Sequence, residues 1–350
     1  MVTRFPVMTR WAALLVGAGM LVAVNAALAD SPGEARSHWH QAIAADYQAL
    51  AQQASALERQ VGAACDDESP WQPESLRQQW EATFLAWQAV RYVDFGPIEQ
   101  SSRAWQIQFW PDRKNLVARK AGLWLQGDPT PTIDRIAADS VAIQGLPALE
   151  YLLFDPKIAP QPGQAPAAMT CQLMVAVAGN LAKVTGSLEA DWAAFKPHFL
   201  ATESYNTAVV TAAMTGLEVL QNRRLAEPMG LGGNERRNAY LADAWRSGQS
   251  LAGLEASIAG MKHTFLPGVE VLLAAAGEQA LHDQLAGQID ATLAAFTSLP
   301  AAMGPLLDDA NGYRQLQALY IEVSQLYQLL TGQVAPALGV VRGFNSSDGD

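Results

Sequence analysis

The sequence predicts an all-α protein made of two packed helical-bundle domains, and three observations support this fold class. Long segments repeat apolar residues at helical spacing. Alanine, leucine and glutamine, which favour helix, are abundant. No segment of strand length alternates convincingly between apolar and polar residues. Helices that each need to bury one apolar face lead to a bundle architecture.

Two segments show the helical spacing most clearly. In the first, Leu76, Trp80, Phe84, Trp87 and Arg91 fall on one helix face. The second lies near the C-terminus and has the same spacing over a longer stretch, with Leu316, Leu319, Tyr320, Val323, Leu326, Tyr327 and Leu330. Each segment predicts an amphipathic helix that faces a core.

A proline-rich segment separates two halves of similar helical content. Prolines at 156, 160, 162 and 166 interrupt any helix there. We therefore expect an N-terminal bundle over residues 30–158 and a C-terminal bundle over residues 159–350.

The first 29 residues are typical of a secretory signal peptide. Arg4 and Arg10 precede an uncharged apolar run, and Ala27-Leu28-Ala29 is a small-x-small cleavage site. The alternative is an uncleaved anchor, but the run is shorter than the roughly 20 residues that a spanning helix needs. We expect export, a mature chain from Asp30 without a transmembrane segment, and a location in the periplasm or cell envelope.

The charge balance excludes one class of partner. The net charge is −11, and removal of the two leader arginines makes it −13. An acidic surface disfavours nucleic acid, whose phosphates bind Lys and Arg.

Two cysteines, Cys65 and Cys171, remain after the leader. An even number of cysteines in an oxidising compartment favours one disulfide, and the alternative is two buried thiols that never meet.

Glu150 is the acid that stands out most, because it lies in the strongly apolar segment GLPALEYLLF at 145–154. Pro147 suits the first turn of a helix that starts after Gly145, since its missing N–H has no helical partner there. Glu150 then lies near the helix N-terminus, on the face of Pro147. It serves either as a capping acid or as a functional group that needs a partner.

Three further segments contain unusual polar groups. FWPDRKN (109–115) places Asp112 and Arg113 beside Trp110, and WRSGQSL (245–251) places Arg246 and Ser250 on a predicted helix. The segment 343–350 is a polar tail. Taken singly, these segments are more typical of a helix kink, a solvated helix face and a frayed end, respectively, than of a functional site.

Five segments of this chain resemble segments of the imelysin family and occur in the same order as there. They are FGPI (95–98), FWPDRKN (109–115), GLPALEYLLF (145–154), WRSGQSL (245–251) and LGVVRGFNSSDGD (338–350). The resemblance covers nearly the whole mature chain. It implies two helical bundles, an envelope location and a role in iron uptake.

The family signature GxHxxE, proposed to bind metal, is altered in this chain. Gly145 and Glu150 match, but Pro147 replaces the histidine and offers no donor atom. Glu150 is thus the sole metal-ligand candidate. No cofactor follows from the residues, and the resemblance implies iron or another divalent metal.

We therefore expect a non-catalytic protein that binds a small ligand or an envelope component of iron uptake. The alternative is a metallopeptidase with a remodelled signature. A zinc peptidase needs three protein ligands, which the histidine spacing does not supply. HExxH, GxSxG and Walker motifs are absent from the sequence. The candidate binding residues are Gly145, Pro147, Glu150, Trp110, Asp112, Arg113, Arg246 and Ser250.

Overall fold

The computed structural model describes residues 1, 16–66, 71, 73–160, 164, 166–231 and 236–340, with side chains described from Ser31 onward. Within these ranges the chain forms helices and no strand, which confirms the all-α prediction. The α-helices are α1 (Val16–Cys65), α2 (Pro73–Val90), α3 (Arg103–Ile107), α4 (Leu116–Trp124), α5 (Ile133–Ala138), α6 (Gly145–Phe154), α7 (Ala168–Ala201), α8 (Ser204–Val219), α9 (Glu227–Met229), α10 (Ser250–Gly260), α11 (Leu266–Ala275), α12 (Gln279–Phe296), α13 (Gly304–Asp308), α14 (Ala310–Leu329) and α15 (Ala335–Ala337).

Short segments of other helix types connect several of these elements. The 3₁₀ turns are Gly96–Ser102, Val141–Ile143 and Ala239–Leu241. Three π-helical segments each join two α-helices into one continuous helix. Leu220–Ala226 joins α8 to α9, Met261–Phe265 joins α10 to α11, and Leu330–Val334 joins α14 to α15.

The core is dominated by large aromatic side chains. Trp39 of α1, Trp80 and Trp87 of α2, and Trp192 of α7 are all fully buried. Burial of one large apolar side chain contributes about 1.5–3 kcal/mol, so these four residues fix how the long helices pack. Both predicted apolar faces are confirmed, because the stripes of α2 and α14 are buried.

The long helix α1 packs along α7 and also contacts α2 and α11, while α10 packs on α2 and α12 packs on α14. The buried apolar residues of all these helices form one continuous cluster. The division of the chain into two bundles at 158/159 stays a prediction.

A disulfide joins Cys65, at the end of α1, to Cys171, in the first turn of α7. The Cα atoms are 5.6 Å apart and the closed loop spans a sequence separation of 106. The predicted pairing is confirmed.

None of the helices in the described part of the chain is both long and apolar enough to cross a bilayer. The predicted leader lies largely outside the described residues, which omit 2–15 and the side chains up to residue 30. The tail segment from 341 to 350 also lies outside them.

Replacement of Cys65 and Cys171 by serine is expected to lower the free energy of unfolding by about 2–5 kcal/mol, because the unfolded chain regains the entropy of a long loop. Urea denaturation of the oxidised protein and of the double variant measures the difference. A reducing agent should destabilise the native protein to a similar degree and leave the variant unchanged. Equal stability of the two oxidised proteins would contradict the prediction.

Candidate functional site

A cavity of about 580 Å³ lies between α2, α6 and two irregular segments. Trp80 and Phe84 of α2 form its apolar wall, and Pro147 and Glu150 come from α6. The irregular segments, 108–115 and 238–246, supply most of the polar groups. The cavity combines apolar walls with a few polar side chains, as small-ligand sites in proteins do.

The start of α6 requires glycine at position 145. Gly145 has a φ of +66°, and a Cβ atom there would lie 2.2 Å from the carbonyl oxygen of Ile107. Glycine alone permits both this backbone conformation and this close approach. Pro147 follows in the first turn of α6, where its ring interrupts no helical hydrogen bond. The close approach of Gly145 to Ile107 fixes the start of α6, and Glu150 then lies about one turn further along the helix, in the wall of the cavity.

Glu150 is buried, and one of its oxygens is held by the segment after residue 242. Glu150 Oε1 accepts hydrogen bonds from Ser247 N at 2.8 Å and from Ser247 Oγ at 2.9 Å. No described residue donates a hydrogen bond to Oε2, so this oxygen has free capacity toward a ligand.

The predicted helix over 245–251 is wrong for residues 245–249. Residues 242–249 form an irregular turn, and α10 begins only at Ser250. Ala244 and Gly248 have φ values of +48° and +74°, which a helix does not allow. The turn aims the N–H and hydroxyl of Ser247 at Glu150, so the departure from helix creates the contact.

Burial raises the pKa of Glu150 from 4.5 to about 7. The hydrogen bonds from Ser247 and the charge of Arg246 oppose this rise, and the charge of Asp243 adds to it. Near neutral pH Glu150 therefore exists in both protonation states and can donate or accept a hydrogen bond.

Arg246 lies beside Glu150 but binds other groups. Its Nε donates to Asp155 Oδ2 at 3.3 Å, its Nη2 donates to Asn115 Oδ1 at 3.1 Å, and its guanidinium stacks on Trp245 with 4.3 Å between Cζ and the ring centroid. The arginine thus acts on Glu150 through its charge and fixes the turn that contains Ser247.

The other candidate residues are distributed between the cavity and its surroundings. Trp110, Asp112 and Arg113 line the cavity. Asp112 also accepts hydrogen bonds from the first backbone N–H groups of α4, and Arg113 pairs with Glu227 at 2.7 Å. Ser250 accepts a hydrogen bond from Met303 N and, like Gly145, lies outside the cavity wall.

A buried polar cluster behind the cavity was missed by the sequence analysis. Asp243 binds Arg91 Nη1 at 2.8 Å, lies 3.3 Å from Arg224 Nη2, and accepts a hydrogen bond from Gln108 Nε2 at 2.7 Å. The sequence offered two signals for this cluster. One was Asp243, an acid in the apolar stretch before Trp245, and the other was Arg91, which ends the apolar stripe of α2. Neither signal identifies the partner, which is 152 residues away.

The residues around Glu150 do not fit a metal ion. Pro147 has no donor atom, and Ser247 occupies Oε1 through its N–H and hydroxyl. Among the residues with described side chains, no group of three or more His, Cys, Asp and Glu could hold a metal.

The arrangement of helices defines an imelysin-like fold. The chain is similar to the crystal structure of an imelysin-like protein from Psychrobacter arcticum 273-4, with a TM-score of 0.78 and 22% identity over 90% of this chain and 98% of that one. A second structure, provisionally named iron-regulated protein A precursor, from Parabacteroides distasonis ATCC 8503, has a TM-score of 0.67 and 14% identity over 86% of this chain and 94% of that one.

The sequence pattern of the imelysin family, peptidase family M75, matches residues 43–330, and the chain belongs to this family. Curated protein sequences include no match. The resemblance inferred from the five segments is confirmed. At these identities the two structures establish the fold alone.

Glu150→Gln is expected to stabilise the protein at neutral pH by about 3 kcal/mol, since each pKa unit corresponds to about 1.4 kcal/mol. Between pH 4.5 and about 7 the unfolded chain releases the Glu150 proton while the folded chain retains it. The unfolding free energy of the native protein therefore falls as pH rises through this window. Glutamine still accepts the Ser247 hydrogen bonds and does not titrate.

Urea denaturation at pH 4.5 and at pH 7.5 measures this difference. The native protein and the variant should be similarly stable at the lower pH and should diverge at the higher pH. A constant difference across the window would contradict a raised pKa at Glu150.

Proposed function

We propose that this chain is an exported envelope protein of iron acquisition that binds a ligand or a partner segment in the cavity at Glu150, without catalysing a reaction. The leader pattern supports export. Family membership and the name of the Parabacteroides protein, iron-regulated protein A precursor, support the link to iron.

The single observation that carries the binding role is the environment of Glu150. A carboxyl group whose burial raises its pKa to about 7 lines a cavity of about 580 Å³, with Oε1 fixed by Ser247. Such a group can bind either a hydrogen-bond donor or an acceptor, according to its protonation state. Burial of an acid at the wall of a cavity costs stability, which is typical of a site kept for function.

The chemistry at the cavity favours binding over peptide hydrolysis. The single hydroxyl proton of Ser247 is shared between Glu150 Oε1 at 2.9 Å and the carbonyl oxygen of Ala244 at 3.0 Å. Arg246, the neighbouring cation, is held by Asp155 and Asn115. These contacts position Glu150 but provide neither the metal ligands nor the activated nucleophile that a peptidase requires.

In a strain that lacks this chain, Glu150→Gln is expected to restore growth in iron-depleted medium poorly, whereas the native gene restores it fully. The variant loses the titrating group but keeps the fold, so its amount in the envelope should equal that of the native protein. Growth rate together with an immunoblot of the envelope fraction measures both effects.

Glu255→Gln is the matched control, because Glu255 is exposed on α10 and lies outside the cavity. It should complement as well as the native gene. Full complementation by Glu150→Gln at normal protein levels would refute the proposed role of the cavity.

Metal titration distinguishes the proposal from the metallopeptidase alternative. Pro147 lies on the cavity wall one turn before Glu150 on α6, so Pro147→His places an imidazole near the carboxyl group. We expect calorimetry to detect Zn²⁺ or Fe²⁺ binding to Pro147→His and much weaker binding to the native protein and to Pro147→Ala. Tight binding at Glu150 in the native protein would favour the peptidase.

A further inference from the structure

A second cavity, of about 520 Å³, lies on the other side of the segment 108–111. Trp87, Tyr92, Trp105 and Trp110 contribute aromatic rings to its wall. Gln108, Trp110 and Pro111 line both cavities, so the two spaces are neighbours. Neither the signature residues nor the proposed function assigns a role to this second cavity.

The second cavity contains more positive than negative charge. Arg91, Arg223 and Arg224 line it, and Asp94, which is exposed, is the single acid among the described lining residues. This excess is unusual in a chain with a net charge of −11.

The acids near these arginines do not neutralise them. Arg91 and Arg224 share one carboxylate, that of Asp243, which lies in the wall of the first cavity. Arg223 is 4.0 Å from Glu227, whose carboxylate binds Arg113 at 2.7 Å.

Arg224 is buried and has unused hydrogen-bonding capacity. It is 4% exposed, Nη1 donates to Ser257 Oγ at 2.9 Å, and Nη2 lies 3.3 Å from the Asp243 carboxylate, but Nε makes no hydrogen bond with the described residues. Burial lowers the pKa of Arg224 from 12.5 to about 9, so the guanidinium remains charged at neutral pH. A buried, charged guanidinium with an unpaired donor beside a cavity favours the binding of an anion there.

The aromatic rings suit a flat apolar ligand. Arg91 stacks on Trp110, with 5.3 Å between Cζ and the ring centroid, and Trp105 is 46% exposed at the mouth of the cavity. Fixed arginines beside aromatic walls are the two elements that bind an amphipathic anion.

We propose that the second cavity binds an organic anion in which one carboxylate is joined to an aromatic ring. The carboxylate pairs with Arg91 and Arg223, the ring lies against Trp105 and Trp110, and Arg224 contributes positive charge from behind. This site is independent of the function proposed for the Glu150 cavity.

The test is calorimetric titration of the whole mature chain with phenylacetate, and with phenylacetamide as the uncharged equivalent. Phenylacetate should bind with one-site stoichiometry, quench tryptophan fluorescence and weaken with added salt. Phenylacetamide should bind at least about tenfold more weakly, because it cannot form the charge-assisted pair. No binding of phenylacetate, or equal binding of the two compounds, would overturn the proposal.

Two variants locate the site without disturbing the core, since the side chain of Arg223 is 54% exposed and Trp105 is also exposed. Arg223→Gln and Trp105→Ala should each weaken phenylacetate binding about tenfold or more. Arg314→Gln, which removes an exposed arginine of α14, is the matched control and should bind as the native chain does. Native affinity in both test variants would show that phenylacetate binds elsewhere and would refute the assignment.

Discussion

The carboxylate of Asp243 is the interaction on which the arrangement of both cavities depends. It is 3% exposed at the side chain and holds Arg91, Arg224 and Gln108 together. Buried charges are costly unless they are paired, and removal of one partner of such a pair typically costs about 3–5 kcal/mol. The end of α2, the π-helical segment 220–226 and the segment after α3 are therefore constrained by one residue.

This constraint extends to Glu150 through the chain itself. Asp243 begins the turn that carries Arg246 and Ser247, so the anchor and the Glu150 contact are separated by only a few residues. Arg246 then fixes the far side of the turn on Asp155 and Asn115. Within this turn Ala244 and Gly248 adopt positive φ values, and the Ser247 N–H is directed at Glu150. A charged cluster in the protein interior thus sets the geometry of a polar contact at the cavity surface.

The sequence predicted the features that depend on local pattern. The stripe of α2, the long apolar face of α14 and the first turn of α6 around Pro147 all follow from spacing and backbone preference. The disulfide followed from the cysteine count and the expected compartment.

The pairings between distant segments could not be predicted in the same way. Apolar spacing shows which face of a helix is buried but does not identify the partner of a charge on that face. Arg91 therefore resembled one more member of the α2 stripe, although its carboxylate partner lies 152 residues away. The turn at 242–249 was missed because Ala244, a strong helix former, adopts a positive φ that tertiary contacts impose.

The three π-helical segments make this fold sensitive to chain length within its helices. A π turn accommodates one residue more than an α turn, and one residue corresponds to about 100° of rotation around the helix axis. Deletion of one residue ahead of Arg224, within 220–223, would let the helix continue as regular α-helix while turning Arg224 away from Asp243. Helix content would survive such a deletion, but the charged cluster would not. The carboxylate of Asp243 would then lose one of its two arginine partners while remaining buried.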